Sequence, residues 1–518
     1  MKKEIKFTTI FFLALLLILS LKLFAIDSEI FLGNTALSID EAQYIFWSRE
    51  LSFGYFSKPP FIAWVLSGLS FFIDDPYSLR FRFLQPLAFG FSSILIFLLC
   101  RETTNNFFLA GWAGILFFLL PLSSFYSQFA TTDAWLIFFW SLSLLFFVKA
   151  LKEDQVKWWV ACGMSVGFGL LTKYSMVFFL ISALLYLISI KKINRPKPWL
   201  SFLISILIIS PNIIWNFKNG FPTITHHAEM TNINNKLQLD LNLVIEFFLG
   251  QFIVFGPLLF LVFIFFSFRS FIPNINVREK KFGSLPMKTT SVLFLYFSWP
   301  IILCMIILSF FGETEINWAA PASVGICLYL TCILSCEAKP TSERNKKFLI
   351  NIFLISTLIH LAFFLLFISG PKLFNLSQFD KDPDINPFLK VKGYSELVSN
   401  VKKIINSDTR IVLVSNDRGI LANLSISFLL NDIRSWKRSA NIRHHWDLLY
   451  PLDHEVSGKK MLFILKVKDL NDYKTKKILT DLDLQFANIV RLRNPELDKL
   501  VLQGRTNQNV VLIRAESK

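Results

Sequence analysis

Apolar runs broken by short polar stretches recur along the chain, at roughly 7 to 26, 84 to 100, 107 to 122, 134 to 150, 158 to 172, 175 to 190, 199 to 215, 243 to 267, 290 to 311, 317 to 335 and 348 to 369. Their lengths come near the roughly 20 residues that cross a hydrocarbon core, where only helices or closed barrels satisfy the backbone. The pattern predicts a polytopic α-helical membrane protein with about eleven transmembrane helices. Two shorter apolar stretches, around Trp47 and from Phe61 to Phe72, flank a polar loop after the first span and predict interfacial helices. Beyond Gly370-Pro371 the pattern changes. The runs IVLVSND, MLFILKV and VVLIRAE alternate with helical stretches such as YSELVSNVKKII, which predicts a small α/β domain over 371–518 behind a membrane domain over 1–370.

Composition agrees with a bilayer protein: 53% of residues are hydrophobic and 58 are Phe, with a mean hydropathy of +0.51. A soluble globular chain is excluded. The basic flank MKKEIK precedes an apolar run too long for a signal peptide and without a small-residue cleavage site, so it reads as a retained first helix. The six cysteines sit in or beside apolar runs and pair with no histidine, as small buried hydrophobes do. The net charge of +16 reports membrane topology and anionic lipid rather than nucleic acid. Alternating the spans puts Lys2, Lys3, Lys6, Lys149, Lys152, Lys157, Lys191, Lys192, Arg195, Lys197 and later basic residues, Arg278, Lys280 and Lys339 among them, on one side. By the positive-inside rule that side is cytoplasmic. The loop Leu37–Trp64, the turn at Asp133, His226-His227 and the tail then share the outer face.

Candidate chemistry gathers on that face. Asp40 and Glu41 offer a base for an attacking hydroxyl, and an ionised carboxylate also stabilises positive charge on a sugar ring; the SIDE context equally suits a helix cap with a first-turn acid. Tyr55 and Lys58 lie in GYFSKPP, where Pro59-Pro60 stiffens the turn. Asp133 opens an otherwise Phe-, Leu- and Trp-rich helix, where an ionisable group either caps or functions. Lys58 and Lys173 fall on the side that positive-inside disfavours, so each suits a lipid-borne phosphate or snorkels to the interface. Arg82, beside Arg80, serves the same anion or pairs with Asp74 or Asp75. His226 and His227 with Glu229 are a weak metal or proton-relay signal, since adjacent histidines cannot both point one way in regular structure. Asn317 and Trp318 in INWAAP supply an amide and an aromatic face suited to a sugar.

In their order, DEAQY, GYFSKPP, RFL, TTDA, GLLTKY, NGFPTITHHAE and INWAAP resemble the membrane glycosyltransferases of the protein O-mannosyltransferase and lipid A aminoarabinose transferase superfamily, the GT-C type of glycosyltransferase family 39. INWAAP, VSNDR and RHHWDLLYPL look like bacterial members that decorate lipid A or core oligosaccharide, galacturonosyltransferases included. The resemblance implies an inverting transfer from a polyprenyl-phosphate sugar. In that scheme Asp40 and Asp133 are catalytic, Asp40 as general base or its partner and Asp133 as the second acidic motif. Glu41, Tyr55, Lys58, Arg82 and Lys173 bind the donor, and His226, His227, Asn317 and Trp318 contact sugar or acceptor. Aminoarabinose transferases carry an acidic residue, part of a proposed metal site, where this chain has Ser57, so no cofactor is required and a divalent metal on His226 or His227 is weakly supported.

The expected protein is a multi-pass enzyme of a bacterial inner (plasma) membrane with its site and tail facing the periplasm. Its partners are an undecaprenyl-phosphate-linked sugar, membrane lipids, and lipid A, core oligosaccharide or another periplasmic glycan or protein as acceptor; nucleic acid is not among them. A protein O-glycosyltransferase is the nearest alternative. A transporter or lipid flippase is the alternative from another class, which would spread ionisable groups through its helices.

Overall fold

The computed structural model describes residues 2–28, 37–230, 239–270, 281–282, 285–337, 343–376, 393–405, 411–428, 432–437, 441–452, 459–467, 472–492, 500–502 and 508–517. Arg278, Lys280 and Lys339, expected on the basic face, lie outside these. The chain forms two compact units. One comprises Met1–Ile26, Lys58–Ile62 and Arg82–Ile368; the other comprises Asp27–Ser57, Ala63–Phe81 and Ser369–Lys518.

The first unit is helical, and the chain is a multi-pass membrane protein. Among the described residues, six helices are long and apolar enough to span: Lys2–Asp27, Leu79–Thr104, Thr132–Glu153, Pro196–Lys218, Ser291–Ser309 and Ile350–Gly370. A seventh passage is the pair Leu241–Phe255 and Pro257–Arg269, bent by 109°. The bend has a local cause. Gly256 sits at φ +85, in the region that favours glycine, and Pro257 supplies no N–H to continue the ladder. By length, six or seven of the eleven expected spans are met. The other four runs form shorter apolar helices, Phe107–Leu119, Val156–Thr172, Tyr174–Ser189 and Ala322–Ser335. Helix Phe107–Leu119 stops because Leu120 turns to ψ 144 ahead of Pro121.

Aromatic rings fill the middle of this unit. Phe179 packs on Phe297 at 4.8 Å between centroids and Trp140 on Phe179 at 5.3 Å, arrangements that add to simple burial. Lys22, 3% exposed in the first helix, donates to Phe118 O, Ser123 O and Ser127 Oγ at 2.9, 3.1 and 3.2 Å. Its three N–H groups thus meet two carbonyls and a hydroxyl where helix 107–119 ends and the next short helix follows.

The second unit carries a mixed sheet. We number its strands β1 (Val412–Ser415), β2 (Ile433–Ser435), β3 (Lys460–Val467), β4 (Phe486–Leu492), β5 (Val501–Leu502) and β6 (Gln508–Ser517). Their order is β2-β1-β3-β6-β4, with β5 also on β6. Pairs among β1, β2 and β3 are parallel; those with β6 are antiparallel. The apolar runs predicted as strands become β1, β3 and β6, and YSELVSNVKKII is a helix. Val412, Val414, Trp436, Phe463, Leu465 and Ile513 form a core.

The helix Ile39–Arg49 packs within this unit, and here an expectation is corrected. Phe46 and Trp47, expected at the membrane interface, are both 0% exposed. Phe46 stacks on Trp446 at 5.1 Å, Trp47 stacks on Tyr55 at 4.5 Å, and His445 packs edge-on to Trp47 at 5.5 Å. Apolar surface is buried equally well by protein or by lipid, and the tail supplies the protein.

Burial among these rings pulls the His445 pKa down to about 3. Between that value and the ordinary 6.5, the unfolded chain binds a proton that the folded chain does not, so stability falls as pH falls through this window. The slope from this one group is about 1.4 kcal/mol per pH unit. Hydrogen exchange on the full-length protein in detergent should show the segments around Phe46 and Trp446 losing protection between pH 6.5 and 4. In His445→Phe the loss should be shallower; an equal slope would remove His445 as its cause.

Candidate active site

In the membrane unit, Asp133 is the centre of the arrangement. It lies in the first turn of Thr132–Glu153, with Thr131 as the extended N-cap residue. Opposite it, helix Val156–Thr172 ends because Lys173 turns to an extended conformation, and a short 3₁₀ turn, Tyr174–Met176, follows. Met176 folds back against Gly169, where an added Cβ would stand 2.8 Å from its Cγ. The tight reversal leaves Lys173 at a helix end with its Nζ 2.8 Å from Asp133 Oδ1. The side chains are 14% and 5% exposed, so the pair is mostly withdrawn from solvent.

The second carboxylate oxygen is also held. Asn317 donates from Nδ2 to Asp133 Oδ2 at 3.2 Å, from the 3₁₀ turn Ile316–Ala319, which also carries the half-buried Trp318. That turn is pinned by Gln251, wholly buried, whose Nε2 donates to Ile316 O at 3.1 Å. Lys58 belongs to the short segment Lys58–Ile62 of the same unit. Phe61 of that segment packs edge-on against Trp135 and Phe139 on the Asp133 helix, at 5.5 and 5.0 Å. Arg82 is 2% exposed with its guanidinium 5.2 Å from the Phe129 ring, a cation–π geometry.

A polar network next to Lys173 was not anticipated. Tyr174 donates its hydroxyl to Asn212 Oδ1 at 2.6 Å, Asn216 donates to that hydroxyl at 3.0 Å, and Thr223 donates to Asn216 Oδ1 at 3.0 Å. Thr223 lies in the first turn of the helix Pro222–Met230, which carries the half-buried His226, so the network roots that helix beside the Lys173 turn. Two asparagines four positions apart on an apolar helix, PNIIWN, are the signal that would have found it. The His227 side chain lies outside the described residues. Among the described residues, no three His, Cys, Asp or Glu side chains gather as metal ligands.

In the second unit, Ser38 and Glu41 form a capping box: Ser38 Oγ accepts from Glu41 N at 3.2 Å and Glu41 Oε2 accepts from Ser38 N at 2.8 Å. The Glu41 carboxylate is buried in that role. Asp40, its neighbour, points outward, 55% exposed, with Oδ1 3.0 Å from Arg418 Nη1. Arg418 opens the helix Arg418–Ser425, which Asp417 caps, and Lys466 Nζ lies 3.6 Å from Asp417. Tyr55 is buried with its hydroxyl donating to Trp47 O and Glu50 O, both at 2.9 Å, and burial drives its pKa upward. Arg418, in VSNDRG, was missed as a site residue: nothing local ties it to a residue 378 positions earlier.

Residues 57–215 match the family described as dolichyl-phosphate-mannose-protein mannosyltransferase. Over 295 residues the chain is 28% identical to the lipid A galacturonosyltransferase RgtD of Rhizobium johnstonii, which takes in 56% of this chain and 59% of that protein. The chain thus spans about three fifths of that relative's length. The fold is similar to that of ArnT from Cupriavidus metallidurans in the apo state, with a TM-score of 0.61 at 13% identity over 98% of each chain. Against the same protein bound to undecaprenyl phosphate the TM-score is 0.59, at 14% identity over 96% of this chain and 97% of that one. The resemblance read from the motifs is borne out.

Breaking a buried ion pair by removing one partner strands the other charge, typically at about 3–5 kcal/mol. Lys173→Met and Asp133→Asn should each lower the thermal unfolding midpoint in detergent. The double variant should unfold at a higher temperature than the worse single, because no unpaired charge remains. Additive losses would mean that the two groups do not depend on one another.

Proposed function

We propose that this chain, whose residues 57–215 match the dolichyl-phosphate-mannose-protein mannosyltransferase family, transfers one sugar from a polyprenyl-phosphate donor to lipid A or core oligosaccharide, with inversion at the anomeric carbon. Similarity to a lipid A galacturonosyltransferase favours a galacturonosyl unit. The observation that carries the reading is the nearly buried Lys173–Asp133 pair, a cation fixed at a helix end within the family region. The enzyme works at the outer face of a bacterial inner membrane, with the four shorter helices completing eleven passages and residues 371–518 forming a periplasmic domain.

The acceptor hydroxyl attacks the anomeric carbon as the carbon–oxygen bond to phosphate breaks. Its proton passes to Asp40, and the electron pair leaves on polyprenyl phosphate. That leaving group departs readily once its charge is met, which is the role of Lys58 and Lys173. One N–H of Lys173 goes to Asp133, leaving two for phosphate oxygens. Asp133 contributes by holding Lys173 and Asn317 together, and Arg82, Glu41 and Tyr55 keep the donor-binding segments in place. Asn317, Trp318, His226 and His227 are sugar or acceptor contacts. The lysines meet the phosphate charge, so the step as written routes through no metal.

Two predictions test this reading. Mass spectrometry of lipid A and core oligosaccharide from cells with and without the gene should show one hexuronic acid residue lost with the gene. Wild type should restore it and Asp40→Asn should not, with a transfer rate lowered at least 100-fold, the scale of a lost general base. Unchanged lipids with altered periplasmic glycoproteins would move the acceptor to protein; no change in either would sink the transferase. Separately, Lys58→Ala should weaken donor use and raise the apparent KM for the polyprenyl-phosphate sugar; recovery of the full rate at high donor would limit Lys58 to binding, and an unchanged KM would remove it from the donor site.

A further inference from the structure

One cavity of the membrane unit is lined by neither Asp133 nor Lys173. It occupies roughly 300 Å³ among the helices Thr132–Glu153, Val156–Thr172, Val177–Ser189 and Pro196–Lys218, against Phe147, Trp159, Val166, Leu184, Trp199 and Phe202. This is the scale of a small-molecule pocket, and its walls are almost wholly apolar. Leu184, Trp199 and Phe202, 41%, 49% and 41% exposed, form its open side, which in a bilayer faces lipid.

A second hollow of about 160 Å³ adjoins it through Trp159, Leu187 and Pro198, and this one is polar, with Lys152, Lys192, Arg195 and Asp154 around it. Its charges are unequal. Asp154 is held by Lys197 at 2.9 Å and Lys152 by Glu102 at 3.0 Å. Among the described residues, no ion pair within 4.0 Å holds Lys192 or Arg195, and Arg195 acts on Asp154 only at longer range. The turn that presents them is fixed by Lys192 N donating to Leu187 O and Arg195 N to Lys192 O, with Lys191 at φ +55. Arg195 is also the N-cap residue of the 23-residue helix Pro196–Lys218, so the positive end of that helix dipole faces the hollow. An apolar slot open to lipid, capped by two cations and a helix N-terminus, is complementary to an amphiphile with an anionic head.

We infer that this slot holds one acyl chain of an anionic bilayer phospholipid, with its phosphate on Lys192 and Arg195. The site is separate from the donor's phosphate, because about 28 Å of helix lies between Asp133 and Lys152 at 1.5 Å per residue. Its occupant is a resident lipid, filling the gap on which Phe147, Trp159 and Phe202 converge.

The test uses the full-length protein in detergent and native mass spectrometry, with phosphatidylglycerol and phosphatidylcholine of the same acyl chains as probes. Wild type should retain one phosphatidylglycerol in preference to phosphatidylcholine. The doubly substituted Lys192→Gln, Arg195→Gln should lose about twenty-five-fold in that preference, at roughly fivefold per basic residue near a membrane phosphate. Leu184→Phe, which adds bulk at the open side without burying anything polar, should lose retention of both lipids. Lipid-free unfolding temperatures of both variants should match wild type, so that loss of lipid is not loss of fold. Equal retention of the two lipids by wild type, or a preference that survives the double substitution, would overturn the proposal. Displacement of the bound lipid by equimolar undecaprenyl phosphate would overturn it too, by assigning the slot to the donor.

Discussion

The ion pair of Asp133 and Lys173 is the constraint around which the membrane unit is arranged. Two charges taken out of water lose several kcal/mol of solvation each, and their mutual attraction compensates only when geometry is close and remaining lone pairs are occupied. Both conditions hold: Nζ stands 2.8 Å from Oδ1, and Asn317 donates to Oδ2. The pair dictates more than its own contact. Helix 156–172 must end where it does for Lys173 to reach across, and the 316–319 turn must sit where Gln251 holds it for the amide to reach from the other side. A group that held only one oxygen would leave the other exposed to the penalty of an unpaired buried acceptor.

In the second unit the corresponding device is a helix cap. Glu41 is consumed by the capping box, and this frees Asp40, one position earlier, to face outward and meet Arg418. The two carboxylates of DEAQY therefore have opposite environments, one buried among backbone donors and one open. A surface ion pair of this exposure adds little stability, so the Asp40–Arg418 contact matters for where the carboxylate points rather than for holding the unit together. Cohesion comes from the aromatic packing of Phe46, Trp47 and Tyr55 with His445 and Trp446.

Much of this was legible from the chain. Asp133 and Lys173 stood out because an apolar helix does not carry a charge without reason, and the cap at Ser38 and Glu41 follows from spacing alone. Strands at 412–415, 460–467 and 508–517 follow from short β-branched runs. Other features depend on information that spacing does not contain. Phe46 and Trp47 were assigned to lipid because hydrophobicity says that a face is buried without saying by what. Asn317 and Arg418 reach partners 184 and 378 positions away, beyond any local pattern. The lengths of the spans were not legible because apolar runs of similar composition are cut at different lengths by Leu120-Pro121, Lys173 and Gly256-Pro257.

The distribution of polarity along helices 132–153 and 156–172 bears on what such a unit can do. One end carries Asp133 and Lys173, and the other carries Lys152 and Asp154. Between them, among the described residues, stand Trp140, Phe147, Phe179 and Phe297 in mutual contact. A carrier that moves a polar solute needs groups along the route to replace its water, because each unsatisfied polar group in hydrocarbon costs several kcal/mol. A plug of interlocked rings offers no such replacement. The same plug keeps low-dielectric surroundings about the Asp133–Lys173 pair, where fixed charges act most strongly, and it separates that pair from the basic residues at the opposite end by far more than a screening length.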